Sequence, residues 1–445
     1  MKYFSGYPSS LAPNPKLEIY TLGDLENNRI EPLRRFAPQF RFDMQVVAQV
    51  LPFRVNRYVV EQLIDWNRVP EDPIFKLTFP QRRMLAEDDF NAMADLLKKQ
   101  ADKKTIHDLA TQIRDRLNPH PAGQLALNRP KQSNGKIIDG IQHKYRETVL
   151  FFPSQGQTCH SYCTFCFRWA QFVGDKALRI ATRENQALLD YLRNHHEVTD
   201  LLITGGDPMV MRTRHLAAYL EPLLTQEFDH IRTIRIGTKA LTYWPYRFLS
   251  DDDADDLLRL LERISQAGKH VALMAHYNHW RELETDAAHE AIAKVRSTGA
   301  VIRSQGPVLA RINDDPDVWA RMWRSQVSLG IIPYYMFVER DTGARHYFEV
   351  PLEKCWQIYR QAIQQVSGLG RSARGPSMSA TPGKVEIQGV TEIQGEKVFV
   401  LRFLQGRNPD WVQRPFFARF DAQATWIDQL KPAFGEKRFF FEEDN

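Results

Sequence analysis

Three cysteines stand close together in the order CxxxCxxC, at Cys159, Cys163 and Cys166. Such spacing lets one short loop reach three corners of an iron–sulfur cube. Structural zinc sites instead use CxxC pairs completed by a second pair or by histidines. The only other cysteine, Cys355, lies far along the chain. The pattern therefore predicts an iron–sulfur site with one coordination position open for chemistry.

Three other interpretations of the clustered cysteines are core thiols, a redox disulfide and a zinc site. Thiols often pack in cores as small apolar groups, but the polar and aromatic neighbours of this loop fit no core pattern. A redox disulfide requires CxxC in a thioredoxin-like unit. A zinc-stabilised binding protein with His160 as fourth ligand is a hypothesis from another class. Cys355 stands among apolar residues at helical spacing, so we expect a core thiol there.

A strand-like run ends in Gly205, Gly206, Asp207 and Pro208. Two glycines at a strand end let a ligand approach the backbone closely, and the aspartate accepts hydrogen bonds from an ammonium group. A Gly-Gly-Asp turn alone is common. One strand after a CxxxCxxC loop, it favours a binding site beside the cluster.

Six strand-like segments and intervening amphipathic helices must position these groups. The predicted strands are residues 148–153, 199–206, 233–240, 270–279, 300–309 and 330–338. Such alternation predicts an α/β fold with a parallel sheet, a partial (β/α)6 TIM-like barrel whose site lies at the carboxyl ends of its strands. We divide the chain into a helical N-terminal region (1–142), this core (143–345) and a C-terminal α+β extension (346–445), in which residues 368–384 read as a glycine- and serine-rich loop.

Composition narrows the class of protein. The 445 residues are 43% hydrophobic and 25% charged, which is typical of a globular chain, and the net charge of +5 is not gathered in basic clusters. We therefore expect no nucleic-acid partner, which also disfavours a nucleic-acid-modifying enzyme. No apolar leader core or run of eighteen apolar residues is visible, so we expect no membrane partner. Four cysteines, three of them clustered, favour a reducing cytoplasm.

With these motifs in place, the chain resembles the radical S-adenosylmethionine (SAM) enzymes, and among them the pyridoxal-phosphate-dependent lysine 2,3-aminomutase family. The resemblance runs from about His143 to Leu404. It rests on ordered segments, namely HKYRETVLFF (143–152), CHSYCTFCFR (159–168), IRIGTK (234–239), AHYNH (275–279), SQGPVLARIND (304–314), IPYYMF (332–337) and PGK (382–384).

The resemblance implies three cofactors and a role for each matching residue. Cys159, Cys163 and Cys166 would bind three irons of a 4Fe–4S cluster, and SAM would bind the fourth. The residues expected to contact SAM are Phe165, Gly205, Gly206, Asp207, Thr238, His276 and Gln305. For His276, a purely structural role beside His279 is an equal alternative. Lys384 would bond covalently to pyridoxal phosphate as a lysine on a flexible loop, and Lys144, Tyr145 and Arg146 would also contact that cofactor. Thr148 stands where the family usually has a second arginine.

The substrate prediction depends on two arginines. Arg168 would pair with the substrate's α-carboxylate. Lysine aminomutases grip the distal ammonium with aspartates, whereas the first such position here is Arg340 and no acid stands in residues 377–381. Like charges repel, so we predict an acidic substrate, with glutamate first. Asp341 is one position away, and an alignment shift of one residue would restore a cation site.

The sequence thus predicts an isomerase, a radical SAM 2,3-aminomutase that moves an α-amino group to the β carbon, with a glutamate 2,3-aminomutase-like member as the first expectation. The alternatives are a lysine 2,3-aminomutase, or a radical SAM enzyme that decarboxylates an amino acid or eliminates a group from it. We expect an amino acid as substrate, an electron donor such as flavodoxin or ferredoxin, and a homo-oligomer.

Overall fold

The computed structural model describes residues 15–117, 127–131, 135–173 and 180–442. The N-terminal fourteen residues of the predicted helical region lie outside this range. One large sheet of 11 strands runs through the rest of the chain, and a separate two-stranded sheet lies in the N-terminal region. The small sheet pairs β1 (Ile19–Thr21) with β2 (Arg54–Asn56) in antiparallel fashion.

The large sheet contains the remaining strands in sequential order. They are β3 (Ile141–Tyr145), β4 (Thr148–Phe151), β5 (Asp200–Ile203), β6 (Thr233–Thr238), β7 (His270–His276), β8 (Val301–Val308), β9 (Ile332–Val338), β10 (Arg374–Ser379), β11 (Gly383–Ile393), β12 (Glu396–Gly406) and β13 (Pro415–Arg419). Strands β4 to β10 are parallel to one another. Strand β3 pairs with β4, and β11 with β10, in antiparallel fashion, and β11 to β13 are antiparallel to one another. The core is therefore an α/β partial TIM-barrel with antiparallel strands added at both edges.

Helices lie in the N-terminal region and in the connections between strands. They are α1 (Leu22–Glu26), α2 (Pro38–Val50), α3 (Pro73–Thr78), α4 (Glu87–Lys98), α5 (Lys103–Arg116), α6 (Gln186–Arg193), α7 (Thr213–Leu220), α8 (Ala240–Tyr243), α9 (Ala254–Gln266), α10 (Asp286–Ser297), α11 (Pro316–Ser328), α12 (Arg345–Phe348) and α13 (Leu352–Gln364). Cys355 on α13 is fully buried in the core, as predicted.

The six predicted strands are all present, but the predicted loop at 368–384 is wrong. Its middle forms β10, a seventh parallel strand that pairs with β9. Gly375 and Pro376 disguise this strand, because both residues are poor strand formers and Pro376 lacks a backbone donor. Lys384 is likewise on a strand, as the second residue of β11, and not on a flexible loop.

The N-terminal region shares a core with the cluster loop. Its buried apolar residues pack together with Phe165 and Trp169, which flank Cys166, and with Phe348 from α12. The region therefore supports the cysteine loop directly, which its sequence did not reveal. The division of the chain at residues 142 and 345 stays a prediction.

In the part of the chain that the structure describes, no helix is long and apolar enough to cross a membrane.

Candidate active site in the lumen of the sheet

The cysteine loop is fastened to the N-terminal region by hydrogen bonds. Backbone N–H groups of Tyr162 and Thr164 donate to the carbonyl oxygens of Arg54 and Leu77, at 2.7 and 2.9 Å. Asn56 donates from its side chain to the carbonyl oxygen of His160 at 3.3 Å and from its backbone to a loop serine. These bonds hold the loop between its ligands in one conformation.

The three cysteines line one cavity at the carboxyl ends of the strands. Burial raises the pKa of Cys163 to about 12 and that of Cys166 to about 11, so metal binding must displace their protons. The same cavity is lined by every predicted SAM contact, namely Phe165, Gly205, Gly206, Asp207, Thr238, His276 and Gln305. Among the described residues no three His, Cys, Asp or Glu side chains are spaced as ligands of a single ion.

The two glycines after β5 are needed because the cysteine loop runs against them. A Cβ at Gly206 would stand 2.6 Å from the backbone nitrogen of Thr158, and a Cβ at Gly205 would meet the side chain of Gln157. Gly205 also has a φ of +146°, which other residues rarely adopt. The Gly-Gly pair therefore lets the loop and the strand end approach each other, independently of any ligand.

The Asp207 carboxylate joins the turn after β5 to the end of β6 by hydrogen bonds. It accepts hydrogen bonds from the backbone of Met209 at 2.9 Å and of Lys239 at 2.8 Å, and from the Thr238 hydroxyl at 2.7 Å. Burial raises its pKa, and these hydrogen bonds oppose that effect. The carboxylate thus shapes the cavity wall through its neighbours.

His276 and Phe165 form the opposite wall of the cavity. Their rings stack with centroids 5.7 Å apart, and the His276 Nδ1 atom is buried without a hydrogen-bond partner. His279, by contrast, accepts a hydrogen bond from the backbone of Arg281 at 3.3 Å and caps a short helix. The two histidines therefore differ, since only His276 offers a free polar atom beside the cavity.

A buried ion pair that sequence reasoning missed includes one of the cavity-lining residues, Lys239. Lys239 donates from Nζ to Glu282 Oε1 at 2.6 Å, and to the carbonyl oxygen of His276 at 3.1 Å. Glu282 is fully buried, and its other oxygen accepts from the backbone of Asn278 at 2.6 Å. The pair joins the ends of β6 and β7, which carry cavity residues. A lysine directly after the Thr238 strand end was its only signal in the sequence.

Lys384 lies against the aromatic side chains of β9. Its Nζ is 3.9 Å from the centroid of the Tyr335 ring and 5.4 Å from that of Phe337. Burial, together with the positive charges of Arg235, Arg374 and Lys144, holds the pKa of this amine well below its usual range. A neutral amine is the form that attacks a carbonyl carbon. The side chain is therefore prepared for covalent capture of an aldehyde.

The predicted pyridoxal-phosphate contacts at the end of β3 and in the turn after it separate into two groups. Lys144 faces the site, where its Nζ donates to the carbonyl oxygen of Ala380, and burial lowers its pKa to about 7. Tyr145 is adjacent, and burial raises the pKa of its phenol. Arg146 does not join them, since its side chain is 67% exposed and lies 3.9 Å from Glu147.

Arg168 and Arg340 contact one aromatic ring from two elements. The guanidinium carbon atoms lie 5.0 and 5.3 Å from the centroid of Phe167. Buried nitrogen atoms of both arginines lack hydrogen-bond partners, as does Asp341 Oδ1, 3.5 Å from Arg340 Nε. Burial lowers the pKa of Arg168 to about 10. Unpartnered buried polar atoms of both signs mark a place for a polar ligand.

Comparisons with known proteins agree with this arrangement. A putative L-lysine 2,3-aminomutase of Aquifex aeolicus is 31% identical over 389 residues, which is 87% of this chain and 90% of that protein. The chain belongs to the lysine 2,3-aminomutase family. The family's L-lysine 2,3-aminomutase of Methanococcus maripaludis is 25% identical over 89% of this chain and 83% of its own length.

Two further comparisons cover smaller parts of this chain. The L-lysine 2,3-aminomutase of Escherichia coli is 28% identical over 58% of this chain and 72% of its own length. A radical SAM methyltransferase structure from Sphaerobacter thermophilus covers 75% of this chain and 92% of its own, with a TM-score of 0.39 and 16% identity. No protein-family profile matches the chain.

The aminomutase family uses a 4Fe–4S cluster, SAM and pyridoxal phosphate, and this chain has residues that fit each of them. The cavity offers three thiols and no other side chain that is a customary iron–sulfur ligand except histidine. Glycines and the unpartnered His276 nitrogen surround the adjoining space. Near Lys384 a cationic surface and the unpartnered, buried Ser377 hydroxyl suit a phosphorylated aldehyde.

Proposed function

We propose that this protein is a radical SAM 2,3-aminomutase that moves the α-amino group of a free amino acid to its β carbon. L-Lysine, which names the curated relatives, is the first candidate substrate. When bound, the cluster and SAM supply a radical and pyridoxal phosphate supplies a carrier for the migrating amino group. The chain itself binds, orients and shields these groups from water.

The observation that carries this proposal is the position of Arg168. It lines the cluster cavity, and its guanidinium carbon lies 4.6 Å from the centroid of the Phe152 ring. Arg340 shares the Phe167 ring with it, and the charges of Arg340 and Arg407 lower the pKa of Lys144. A continuous set of cations thus leads from the cysteines toward Lys384, and its first member can hold a carboxylate by two hydrogen bonds.

An acidic amino acid is a second candidate, and Arg340 favours it. Its guanidinium is partly buried, and the Nε and Nη2 atoms have no hydrogen-bond partner. A carboxylate would satisfy both donors, whereas an ammonium group would be repelled. Lysine would instead require Asp341, whose Oδ1 atom forms an ion pair with Arg340 Nε at 3.5 Å. The site therefore contains one residue suited to each substrate.

The products formed from each amino acid distinguish the two candidate substrates. The reduced, anaerobic enzyme with SAM and pyridoxal phosphate is given L-lysine or L-glutamate alone, and the products are identified by mass and NMR. β-Lysine supports the first candidate, and β-glutamate supports the second. A product lighter than its substrate by carbon dioxide or ammonia would overturn the aminomutase proposal and favour decarboxylation or elimination.

Two variants test which residue binds the charged group at the far end of the substrate side chain, without reference to the product. We expect Asp341→Asn to raise the KM for lysine, and Arg340→Gln to raise the KM for glutamate, each with a smaller effect on kcat. Arg345→Gln is a matched control, because that arginine pairs with Glu349 at 2.9 Å.

The proposal also covers the setting of the enzyme. Reduction of the cluster requires a low-potential donor, for which a flavodoxin or ferredoxin is expected, and a reducing compartment such as the cytoplasm preserves the thiols. Purification under anaerobic conditions with sizing tests the expected homo-oligomer.

A further inference from the structure

A layer of charged residues lies below the cavity, toward the amino ends of the strands. Arg235 on β6 precedes the cavity residue Gly237 by two positions, and Arg303 on β8 precedes the cavity residue Gln305 by two. Residues two apart on a strand face the same side of a sheet. Both arginines therefore face the lumen, one layer away from the cluster.

Arg374 on β10 joins this layer through two tyrosines. Its guanidinium carbon lies 4.2 Å from the ring centroid of Tyr335 and 4.5 Å from that of Tyr334. The guanidinium of Arg303 lies 5.2 Å from the same Tyr334 ring. Lys384 approaches Tyr335 to 3.9 Å, so the arginines and the lysine share one aromatic surface.

The charge in this layer is unbalanced. Arg235 is neutralised by Asp200, with Nε to Oδ1 at 2.8 Å. Within the described residues neither Arg303 nor Arg374 forms an ion pair, although both side chains are partly buried. Unpaired cations that are withdrawn from bulk water favour an anionic ligand.

We propose that Arg303 and Arg374, backed by Arg235, form the anion site that holds the phosphate of pyridoxal phosphate bound to Lys384. This inference rests on the proposed function, because it assumes that Lys384 carries that cofactor. The Arg303 and Arg374 guanidinium groups come from β8 and β10, the strands on either side of β9. Each planar group can bind phosphate oxygens by two hydrogen bonds.

The location of Thr148 agrees with this assignment. Its hydroxyl donates to Asp200 Oδ2 at 3.2 Å, so Thr148 lies in the same layer as Arg235. Thr148 thus presents a hydroxyl and no charge to this layer, and Arg303 and Arg374 supply the charge from β8 and β10. Arg146, exposed in the turn between β3 and β4, is not needed for it.

Binding of two aldehydes tests the inference. The purified enzyme, with its cluster intact and freed of pyridoxal phosphate, is titrated with pyridoxal phosphate and with pyridoxal, which lacks the phosphate. Borohydride reduction and mass spectrometry confirm attachment at Lys384. The titrations are run at a pH on the plateau where Lys384 is neutral in every variant. There we expect Arg374→Gln or Arg303→Gln to weaken binding of pyridoxal phosphate about tenfold to a hundredfold and to leave pyridoxal binding unchanged.

Three comparisons make the result decisive. Arg374→Lys keeps the charge and should recover part of the preference for the phosphate. Arg371→Gln, an exposed neighbour, should behave as wild type. Lys144→Gln tests the competing location. The proposal is overturned if the Arg303 and Arg374 variants bind both aldehydes equally weakly, or if they bind both as the wild type does. It is also overturned if only Lys144→Gln loses the preference for the phosphate, or if the arginine variants lose affinity for the amino acid alone.

Failure of the proposed function looks different. If the wild-type enzyme fails to form a reducible adduct with either aldehyde, Lys384 is not a cofactor lysine and the aminomutase proposal fails with it. If the wild type forms the adduct and prefers the phosphate, only the variants decide whether Arg303 and Arg374 recognise it.

Discussion

Thr238 donates a hydrogen bond from its hydroxyl to Asp207 Oδ1 at 2.7 Å, which ties the end of β6 to the turn after β5. The next residue, Lys239, donates its backbone N–H to the other carboxylate oxygen at 2.8 Å. The wall of the cluster cavity therefore depends on a carboxylate in the turn after β5 that accepts hydrogen bonds from two groups at the end of β6.

Asp207→Asn should weaken SAM binding more than Thr238→Val. The asparagine amide presents a donor where one of the backbone N–H groups now finds an acceptor, whereas valine removes a single hydrogen bond. We expect a loss of at least about tenfold for Asp207→Asn. Equilibrium dialysis with SAM on the cluster-loaded protein measures both. A larger effect of Thr238→Val would mean that the hydroxyl itself contacts SAM.

Replacing any one of Cys159, Cys163 and Cys166 by alanine should abolish the cluster. Each of the three thiols lines the cavity, and the fourth cysteine, Cys355, is not among the cavity residues and cannot replace a lost ligand. Iron content, sulfide content and the visible spectrum after anaerobic purification check this. Cys355→Ala is the control, because that thiol is buried on α13, and it should retain full iron content. Iron lost equally from this control would indicate unfolding instead.

Lys239→Met should destabilise the protein by about 3–5 kcal/mol, because it leaves the fully buried Glu282 carboxylate without its cation. The double variant Lys239→Met with Glu282→Gln should recover part of this loss. Denaturant unfolding of the apo-protein gives the free energies. Additive effects of the two substitutions would show that the ion pair contributes little.

The pH dependence of aldehyde capture should reflect the lowered pKa of Lys384. Since only the neutral amine reacts, capture of pyridoxal by the apo-protein should rise with pH and level off well below the usual titration range of lysine. Arg374→Gln removes a neighbouring positive charge, so it should raise the pKa and shift the profile to higher pH. Stopped-flow measurement of adduct formation at several pH values tests both statements.

The same shift has a consequence for stability with a defined sign. At pH values between the folded and unfolded pKa of Lys384, the unfolded chain holds a proton that the folded chain lacks. The free energy of unfolding of the apo-protein should therefore rise with pH through that range. Lys384→Met should flatten this slope in denaturant titrations.

Sequence patterns predicted the parallel core because six apolar runs alternate with amphipathic helices. They missed β10, where Gly375 and Pro376 conceal a strand that pairs with β9 through Arg374 and Ser377. Placing Lys384 on a loop followed from that error. Pairing between distant segments decides such strands, and a local window does not contain it.

The candidate site was predictable where residues follow strand ends, as at Gly205–Asp207 and Thr238. Arg303 and Arg374 were missed because their significance depends on which side of the sheet faces the lumen. A charged residue inside an apolar strand, such as Arg235 between Ile234 and Ile236, was the available signal. Arg146 was assigned to the cofactor, but it lies in the turn between β3 and β4, where its side chain is exposed to solvent.

The contacts between the N-terminal region and the cysteine loop bear on how the enzyme matures. Ordering the backbone of a residue opposes folding by about 1–2 kcal/mol in conformational entropy. Here that entropy is lost when the chain folds, since Asn56 and the carbonyl oxygens of Arg54 and Leu77 already hold the loop. Iron and sulfide would thus bind to a loop that is already ordered. Weakening these contacts would slow assembly of the cluster although the three cysteine ligands are unchanged.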